Sequence, residues 1–276
     1  MIALKGIYLS EWLYQDIGLR QFSDIDLLVK EEDGLKCLTI LKSLGFISRK
    51  SIPVSEFVEA NSDFVHYSPM ELNDISVEIH IKLHKSDEKY LLDLDKIWQN
   101  ACDVQVNGYL VKSLELYDLI IHLCIHLDKH FKEGHVQFTS FNDIVNLLSK
   151  FADTLDWNTF IAHCKTYNCE YPVFKYLVLV NRFYNSALPL HIIEKYNSQL
   201  TDKDELLFLN YLHGHDFKQL SNSAIPEHLS SLRLLKKKSD IAKYLIDIIF
   251  PPKAFMIQKY GLQKAASSKQ QAVSSK

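Results

Sequence analysis

The sequence predicts an α+β protein in which an N-terminal mixed β-sheet with helices on one side is followed by an all-helical C-terminal domain. Up to Lys112, short segments alternate between apolar and polar residues with the period of strands. From Ser113 onward, apolar residues recur with the period of helices. We therefore expect an α/β domain over residues 1–112, a helical domain over 113–262 and a disordered tail over 263–276.

The first domain combines strands with two short helices. Gly18 follows the first predicted helix and Gly45 the second, as is common at helix ends. Tight turns are expected at Asn73-Asp74 and at Asn107-Gly108. The second helix has four leucines on its predicted buried side: Leu35, Leu38, Leu41 and Leu44. In chain order, the predicted elements are a strand at 2–4, a helix at 8–16, a strand at 24–30, a helix at 31–44, paired strands at 57–67 and 75–84, and a hairpin within 103–112.

The second domain is predicted to consist of helices alone. Its first helix follows Ser113, which we interpret as a capping residue, with Glu115 and Asp118 in an acidic first turn. Asp156 is a second expected N-cap, and Pro251-Pro252 would end the last helix. Later helices are predicted at 139–151, 156–168, 171–186, 189–198, 202–212 and 238–249.

The second predicted strand carries two carboxylates on one face. Asp24 and Asp26 point to the same side because side chains alternate along a strand, and the apolar residues between and after them point to the other side. Like charges held this close repel unless a cation lies between them. Oxygen ligands of this kind suit Mg²⁺, so the pair indicates a metal site that needs a third ligand.

Glu78 is the predicted third carboxylate. In the segment from Ile75 to His84, apolar residues alternate with polar ones, and Glu78 and His80 lie on the polar face. A strand carboxylate on that face can complete a site with Asp24 and Asp26 if the strands are neighbours in the sheet.

Three motifs resemble a known family. Leu4-Lys5-Gly6, the segment Arg20 to Val29, and Glu78-Ile79-His80 occur in this order. They are similar to the polymerase-beta-like nucleotidyltransferase superfamily, and more closely to a bacterial branch described as an uncharacterised nucleotidyltransferase family. Further features that look like that branch are found at His122 to His130, Asn142-Asp143-Ile144, Asp156-Trp157 and Phe250-Pro251-Pro252.

The resemblance implies a nucleotidyltransferase-like first domain that transfers a nucleoside monophosphate from an NTP to a hydroxyl group of a small molecule, peptide or protein. Two Mg²⁺ ions would be held by Asp24, Asp26 and Glu78 when the NTP is bound. Glu78 would also accept the proton of the hydroxyl. The residues implied in nucleotide binding are Lys5, Gly6, Arg20 and Ser23.

Two features depart from the family pattern and leave an alternative open. Ile7 stands where the wider superfamily commonly has a serine that helps to hold a phosphate. The chain also starts directly in the first expected strand, whereas family members typically carry a helical segment before it, so either the start is short or upstream residues are missing. Both features favour a catalytically weak nucleotide-binding or antitoxin-like module that acts through protein contacts.

Histidines form a stripe on the first helix of the second domain. His122, His126 and His130 are four residues apart and therefore lie on one helix face. A zinc site, and with it a metal hydrolase, is one interpretation, but there is no adjacent glutamate in the usual His-Glu-x-x-His arrangement. The other two are that the stripe packs on the sheet, or that His126 and His130 contact ligands in a cleft together with His80.

Composition limits the partners. The formal net charge of −3 carries no basic signature of a protein that binds duplex nucleic acid. Five dispersed cysteines indicate reduced thiols rather than a disulfide framework. No apolar stretch is long enough for a transmembrane segment. We expect a cytoplasmic protein whose partners are an NTP and an unidentified hydroxyl acceptor, with a protein partner left open.

Overall fold

A seven-stranded mixed sheet forms the N-terminal region in the computed structural model, which describes residues 1–49, 64–85, 90–133, 138–184 and 186–212. The strands are β1 (Ile2–Ala3), β2 (Ile25–Leu28), β3 (Ile47–Ser48), β4 (Met70–Leu72), β5 (Ile75–His80), β6 (Cys102–Val106) and β7 (Tyr109–Ser113). Their order in the sheet is β3-β4-β5-β2-β1-β7-β6. The mixed sheet and the helices after it confirm the predicted α+β class.

The pairing at the centre of the sheet brings distant segments together. β2 runs parallel to β5 and antiparallel to β1, and β1 in turn runs parallel to β7. The remaining contacts are antiparallel: β3 with β4, β4 with β5, and β6 with β7. β2 therefore lies between β1 and β5, which carry the first and third sequence motifs.

Helices lie between the strands and make up all the regular structure that is described after β7. In the first region they are α1 (Ile7–Trp12), α2 (Gly34–Ser43) and α3 (Leu94–Asn100). After the sheet they are α4 (Leu116–Glu133), α5 (Phe138–Phe151), α6 (Trp157–Thr166), α7 (Glu170–Tyr184), α8 (Leu190–Tyr196) and α9 (Asp202–Leu212). Short 3₁₀ turns at Glu31–Asp33 and Asn197–Gln199 adjoin α2 and α8.

Two clusters of buried apolar side chains hold these layers together. The smaller cluster packs α2 against one face of the sheet and includes Leu38, Val77 and Ile79. The larger one joins β1, α1 and Leu28 of β2 to the helices from α4 onward. The opposite face of β2, which also carries Asp26, is thus covered through contacts with the helical region.

The predicted boundary between residues 112 and 113 stays a prediction.

Both predicted turns are present, but one strand partner differs. Asn73, Asn107 and Gly108 have positive φ angles, as tight hairpin turns require. Next to the Asn73-Asp74 turn, the antiparallel neighbour of β5 is β4 at Met70–Leu72, which was not predicted as a strand. Of the predicted strand at 57–67, residues 64–67 are described: His66 forms an antiparallel bridge with His80, and the amides of Tyr67 and Ile81 donate to the carbonyls of Ile79 and Val65. The tight turn brings Met70–Leu72 into register with β5 first, and the pairing continues further from the turn at His66.

The structure corrects several helix details. Leu35 and Leu44 are 55% and 63% exposed, because the segment starts with a 3₁₀ turn and Leu44 lies beyond the helix end. Ser113 belongs to β7 and does not cap α4; the carboxylate of Glu115 accepts from the Tyr117 amide instead. The α3 helix was not predicted. The Asp156 cap is confirmed, since its carboxylate accepts from the amides of Asn158 and Thr159.

Predictions for the C-terminal segment fall outside the described residues. These are the helix at 238–249, its end at Pro251-Pro252 and the tail at 263–276. The helices predicted from 139 to 212 are confirmed with small shifts at their ends. Among the helices that the structure describes, none has the length and apolar character needed to cross a membrane.

A buried ion pair between α7 and α9 makes stability depend on pH. Lys175 Nζ lies 2.6 Å from Asp204 Oδ1, and the Thr201 hydroxyl donates to Asp204 Oδ2. Burial alone would raise the pKa of Asp204, but the Lys175 charge and these hydrogen bonds lower it overall. The stabilisation is therefore present above the usual Asp pKa of about 3.9 and is lost as the pH falls through the lower folded-state value.

We expect Asp204→Asn to lower the free energy of unfolding at pH 7 by about 3 kcal/mol, because Lys175 then lacks its counter-charge. The difference from the wild type should shrink as the pH falls below about 4. Urea unfolding at both pH values checks this, with Asp153→Asn at an exposed position as the matched control. A difference between wild type and Asp204→Asn that is independent of pH would contradict the ion-pair explanation.

Candidate active site

Asp26 and Glu78 are brought together by the central strands of the sheet. In the parallel pair of β2 and β5, Asp26 is directly opposite Glu78, and Leu28 is opposite His80. These four residues share one face of the sheet because side chains alternate along each strand. One ligand atom from each of Asp26, Glu78 and His80 lies within 4.8 Å of the others. Within the part of the chain that the structure describes, these three side chains form the group that could hold a metal ion.

Two histidines flank the carboxylates. His80 Nε2 lies 2.9 Å from Asp26 Oδ1 and 3.6 Å from Glu78 Oε2. His66 Nδ1 lies 3.6 Å from Glu78 Oε2, and the rings of His66 and His80 are 4.9 Å apart. His80 was predicted as a cleft contact, whereas His66 was missed. Its segment was predicted to pair with that of β5, but His66 itself was not identified as a site residue.

The charges at the site stabilise each other. Burial alone would raise the pKa of Asp26, but the hydrogen bond from His80 and the charge of Lys5 hold it well below its usual range. Burial is likewise outweighed at Glu78, where His80 and His66 lower the pKa of the carboxyl group. The two carboxylates in return raise the pKa of His80, against the effect of burial. Both carboxylates are therefore ionised near neutral pH.

Lys5 lies against both aspartates of the second motif. It follows β1 closely, and the amide of Leu4 donates to the Asp26 carbonyl at 3.1 Å. Lys5 Nζ is 2.6 Å from Asp26 Oδ2 and 3.7 Å from Asp24 Oδ1. Burial would lower the pKa of Lys5, but Asp26 and Asp24 raise it overall, so the ammonium group stays charged.

Asp24 and Ser23 lie at the more exposed end of this arrangement. Asp24 is half-buried just before β2, and its Oδ1 accepts from the Ser23 hydroxyl at 3.3 Å. Asp24 is not in the group with Asp26 and Glu78, in which His80 is the third member. The structure thus brings two of the three predicted carboxylates together directly and places Asp24 beside Lys5.

The donor set of Asp26, Glu78 and His80 fits a divalent cation. Carboxylate oxygens suit Mg²⁺ and Mn²⁺, whereas an imidazole is a better ligand for zinc and iron. The combination of two carboxylates and one imidazole is compatible with several divalent metals. The identity of the ion as Mg²⁺ stays a prediction.

Arg20 has a partner in the helical region. Its Nε donates to Asp143 Oδ1 at 2.8 Å and its Nη2 to Asp143 Oδ2 at 2.7 Å. The Tyr14 hydroxyl also donates to Asp143 Oδ1, at 2.9 Å. Arg20 is 5% exposed and Asp143 is fully buried, so this two-pronged contact fastens the segment before β2 to α5. The resemblance implied a phosphate contact for Arg20 and included Asp143 only within Asn142-Asp143-Ile144, so the pairing of these two residues was not predicted.

The histidine stripe on α4 faces the site. His122 is 3% exposed, and its Nε2 has no hydrogen-bond partner among the described residues. Burial, and then the positive charges of His80 and Lys5, lower the pKa of His122 to about 3. Burial and the charge of Lys5 also lower the pKa of His126, whose Nε2 lies 3.1 Å from His130 Nε2. Neutral imidazoles therefore border the carboxylates, and His122 is the member that we did not name as a site residue.

Gly6 provides a close approach between the first two motifs. Its φ angle is +56°, which L side chains rarely adopt. An added Cβ would lie 3.3 Å from the Asp24 carbonyl oxygen and 3.4 Å from Phe22 Cβ. Gly6 thus lets the backbone after β1 pass close to the segment that carries Asp24.

A family model for uncharacterised nucleotidyltransferases matches residues 1–185 of the chain, which include every site residue described above. The chain belongs to that family. Among curated proteins and solved structures, no match was found. The three motifs of this nucleotidyltransferase family member thus meet on three adjacent strands, with Lys5 beside β1, Asp26 on β2, and Glu78 and His80 on β5.

For this family member we expect Arg20→Met to lower the free energy of unfolding by about 3 to 5 kcal/mol, because Asp143 would remain buried without its counter-charge. Replacing both residues, as in Arg20→Met with Asp143→Leu, should recover most of this loss. Arg49→Met, which removes an exposed pair with Glu71, is the control and should cost at most about 1 kcal/mol. Denaturant unfolding of Arg20→Met, of Asp143→Leu and of the double variant checks this expectation. If the losses of the two single variants simply add up in the double variant, direct coupling between Arg20 and Asp143 is contradicted.

Gly6→Ala should destabilise the chain more than Gly108→Ala. Both glycines have positive φ angles, so each substitution costs about 1 to 3 kcal/mol in backbone strain. Gly6→Ala adds a contact with the Asp24 carbonyl, whereas nothing lies within 4 Å of a Cβ at Gly108. Equal losses in denaturant unfolding would show that the close approach at Gly6 has no energetic importance.

Proposed function

We propose that this chain is a Mg²⁺-dependent nucleotidyltransferase that moves a nucleoside monophosphate from an NTP to a hydroxyl group of a small molecule, peptide or protein. The observation that carries the proposal is the parallel pairing of Asp26 with Glu78, which gives two ionised carboxylates on one face of the sheet. Membership of a nucleotidyltransferase family supports the reaction class. The acceptor is defined here only by its hydroxyl group.

In this proposal, Asp24, Asp26 and Glu78 hold the metal, and two ions are expected when the NTP is bound. The bound metal would neutralise phosphate charge and make the acceptor hydroxyl more acidic. Glu78 would accept the hydroxyl proton, for which its ionised state is a requirement. The pairing of His80 with both Asp26 and Glu78 would hold these carboxylates in position.

Phosphate binding is assigned to the first motif and its surroundings. Lys5 would supply an ammonium group on a flexible four-carbon side chain next to the carboxylates. Gly6 lets the backbone approach closely, and Ser23 offers an exposed hydroxyl beside Asp24. Arg20, with its planar group bound to Asp143, would act by positioning the segment before β2 rather than by direct phosphate contact. His126 and His130 are proposed cleft contacts for nucleotide or acceptor.

A nucleotide-binding module without turnover is the second candidate. It is favoured by the Lys5 contact with Asp26, which neutralises that carboxylate without any metal, and by Ile7 in place of a phosphate-binding serine. In that case the protein would act through contacts with another protein.

Calorimetric titration of each NTP with Mg²⁺, followed by assay of pyrophosphate release with hydroxyl acceptors, separates the two candidates. The wild type should bind an NTP and release pyrophosphate. Glu78→Gln should keep nucleotide binding and lower the release rate by about 10² to 10⁴, because the proton acceptor is lost. Asp26→Asn should abolish release.

Asp103→Asn removes an exposed carboxylate on β6 and is the matched control, with the activity of the wild type expected. NTP binding without pyrophosphate release under any acceptor favours the module. Unchanged release by Asp26→Asn would overturn the assignment of the active site.

A further inference from the structure

Lys5 and a metal ion would need the same carboxylate. Asp26 Oδ1 faces His80 and Oδ2 faces Lys5 Nζ at 2.6 Å. Asp26 also belongs to the group of three side chains that could hold a metal ion. An ammonium group in direct contact with this carboxylate repels a divalent cation bound to it, and the low exposure of the site limits screening by water.

The surroundings make Lys5 the cation that can move. His80 is part of β5, and Arg20 is held by both oxygens of Asp143. Lys5 follows the short strand β1 and has a flexible four-carbon side chain whose ammonium group makes contacts in any direction. Its side chain remains 15% exposed, so it has a route away from Asp26 towards solvent or a ligand.

The geometry points to Lys5 as a built-in counter-cation that competes with the divalent metal for Asp26 and Asp24 in the nucleotide-free protein. Triphosphate oxygens would give the ammonium group new partners and release the carboxylates for metal. Metal and nucleotide then bind cooperatively, and by linkage each raises the affinity for the other. The competition itself needs only Lys5 and the carboxylates; the role of the triphosphate rests on the proposed function.

The test measures binding of Mn²⁺ alone, by electron paramagnetic resonance of the free ion, to the full chain without nucleotide. Lys5→Met should bind Mn²⁺ about tenfold tighter than the wild type or more, since the competing charge is gone. Lys112→Met removes an exposed lysine that pairs with Asp103 on the neighbouring strand, and it should match the wild type. Equal or weaker Mn²⁺ binding by Lys5→Met would overturn the competition.

A second variant covers the case in which Lys5→Met fails to fold. Lys5→Gln keeps a polar group that can donate to Asp26 but removes the charge, and it should show the same tighter Mn²⁺ binding. Lys5→Arg keeps the charge and should bind Mn²⁺ as weakly as the wild type. Tight binding by Lys5→Arg would contradict a role of the charge.

The same titration in the presence of a non-hydrolysable NTP tests the coupling. Mn²⁺ affinity should rise clearly in the wild type and much less in Lys5→Met. Tighter Mn²⁺ binding by Lys5→Met together with no pyrophosphate release by the wild type would leave the competition intact and reject only the transferase. Equal or weaker Mn²⁺ binding by Lys5→Met, together with pyrophosphate release by the wild type, would reject the competition and leave the transferase intact.

Discussion

Burial of the negative charge on Asp26 is the constraint on which the geometry of the site depends. Asp26 is 2% exposed in the centre of the sheet, where an ionised carboxylate without partners would cost several kcal/mol. The neighbouring strands supply both partners, because Lys5 follows β1 on one side and His80 lies on β5 on the other. In the sheet order β5-β2-β1, Asp26 on the central strand therefore lies between the basic side chains of His80 and Lys5.

The helical region completes this balance without adding net charge at the site. Asp143 of α5 neutralises Arg20, which would otherwise leave a second buried cation beside Asp24. The histidines of α4 that border the site have lowered pKa values and are neutral at physiological pH. Asp26 is buried among these groups, and its low exposure strengthens its charge interactions with Lys5 and His80. Under the proposed function, an anionic ligand would meet the Lys5 ammonium group beside these carboxylates.

The sequence allowed the local features of the site to be predicted, and the physical reason is periodicity. Alternation along a strand placed Asp26 on the polar side of its strand and Glu78 and His80 on the polar side of theirs, independently of the rest of the fold. Predictions that required knowledge of neighbouring elements were less successful. Leu35 and Leu44 have the helical spacing of core residues, but Leu35 lies in the first turn of α2, Leu44 lies beyond its end, and both remain exposed. Ser113 has the chemistry of a helix cap, yet pairing with β1 and β6 extends the strand through it.

The sequence by itself determined the fold class, the family and the strand carboxylates, because each depends on residue types at fixed short spacings. Only the tertiary structure decided which charges meet. Lys5 contacts Asp26, His80 rather than Asp24 joins Asp26 and Glu78, and Arg20 reaches Asp143 across 123 positions of the chain. These partners depend on strand order and on the packing of helices against the sheet. Long-range contacts of this kind follow from the burial of the whole core and have no signature in the local sequence.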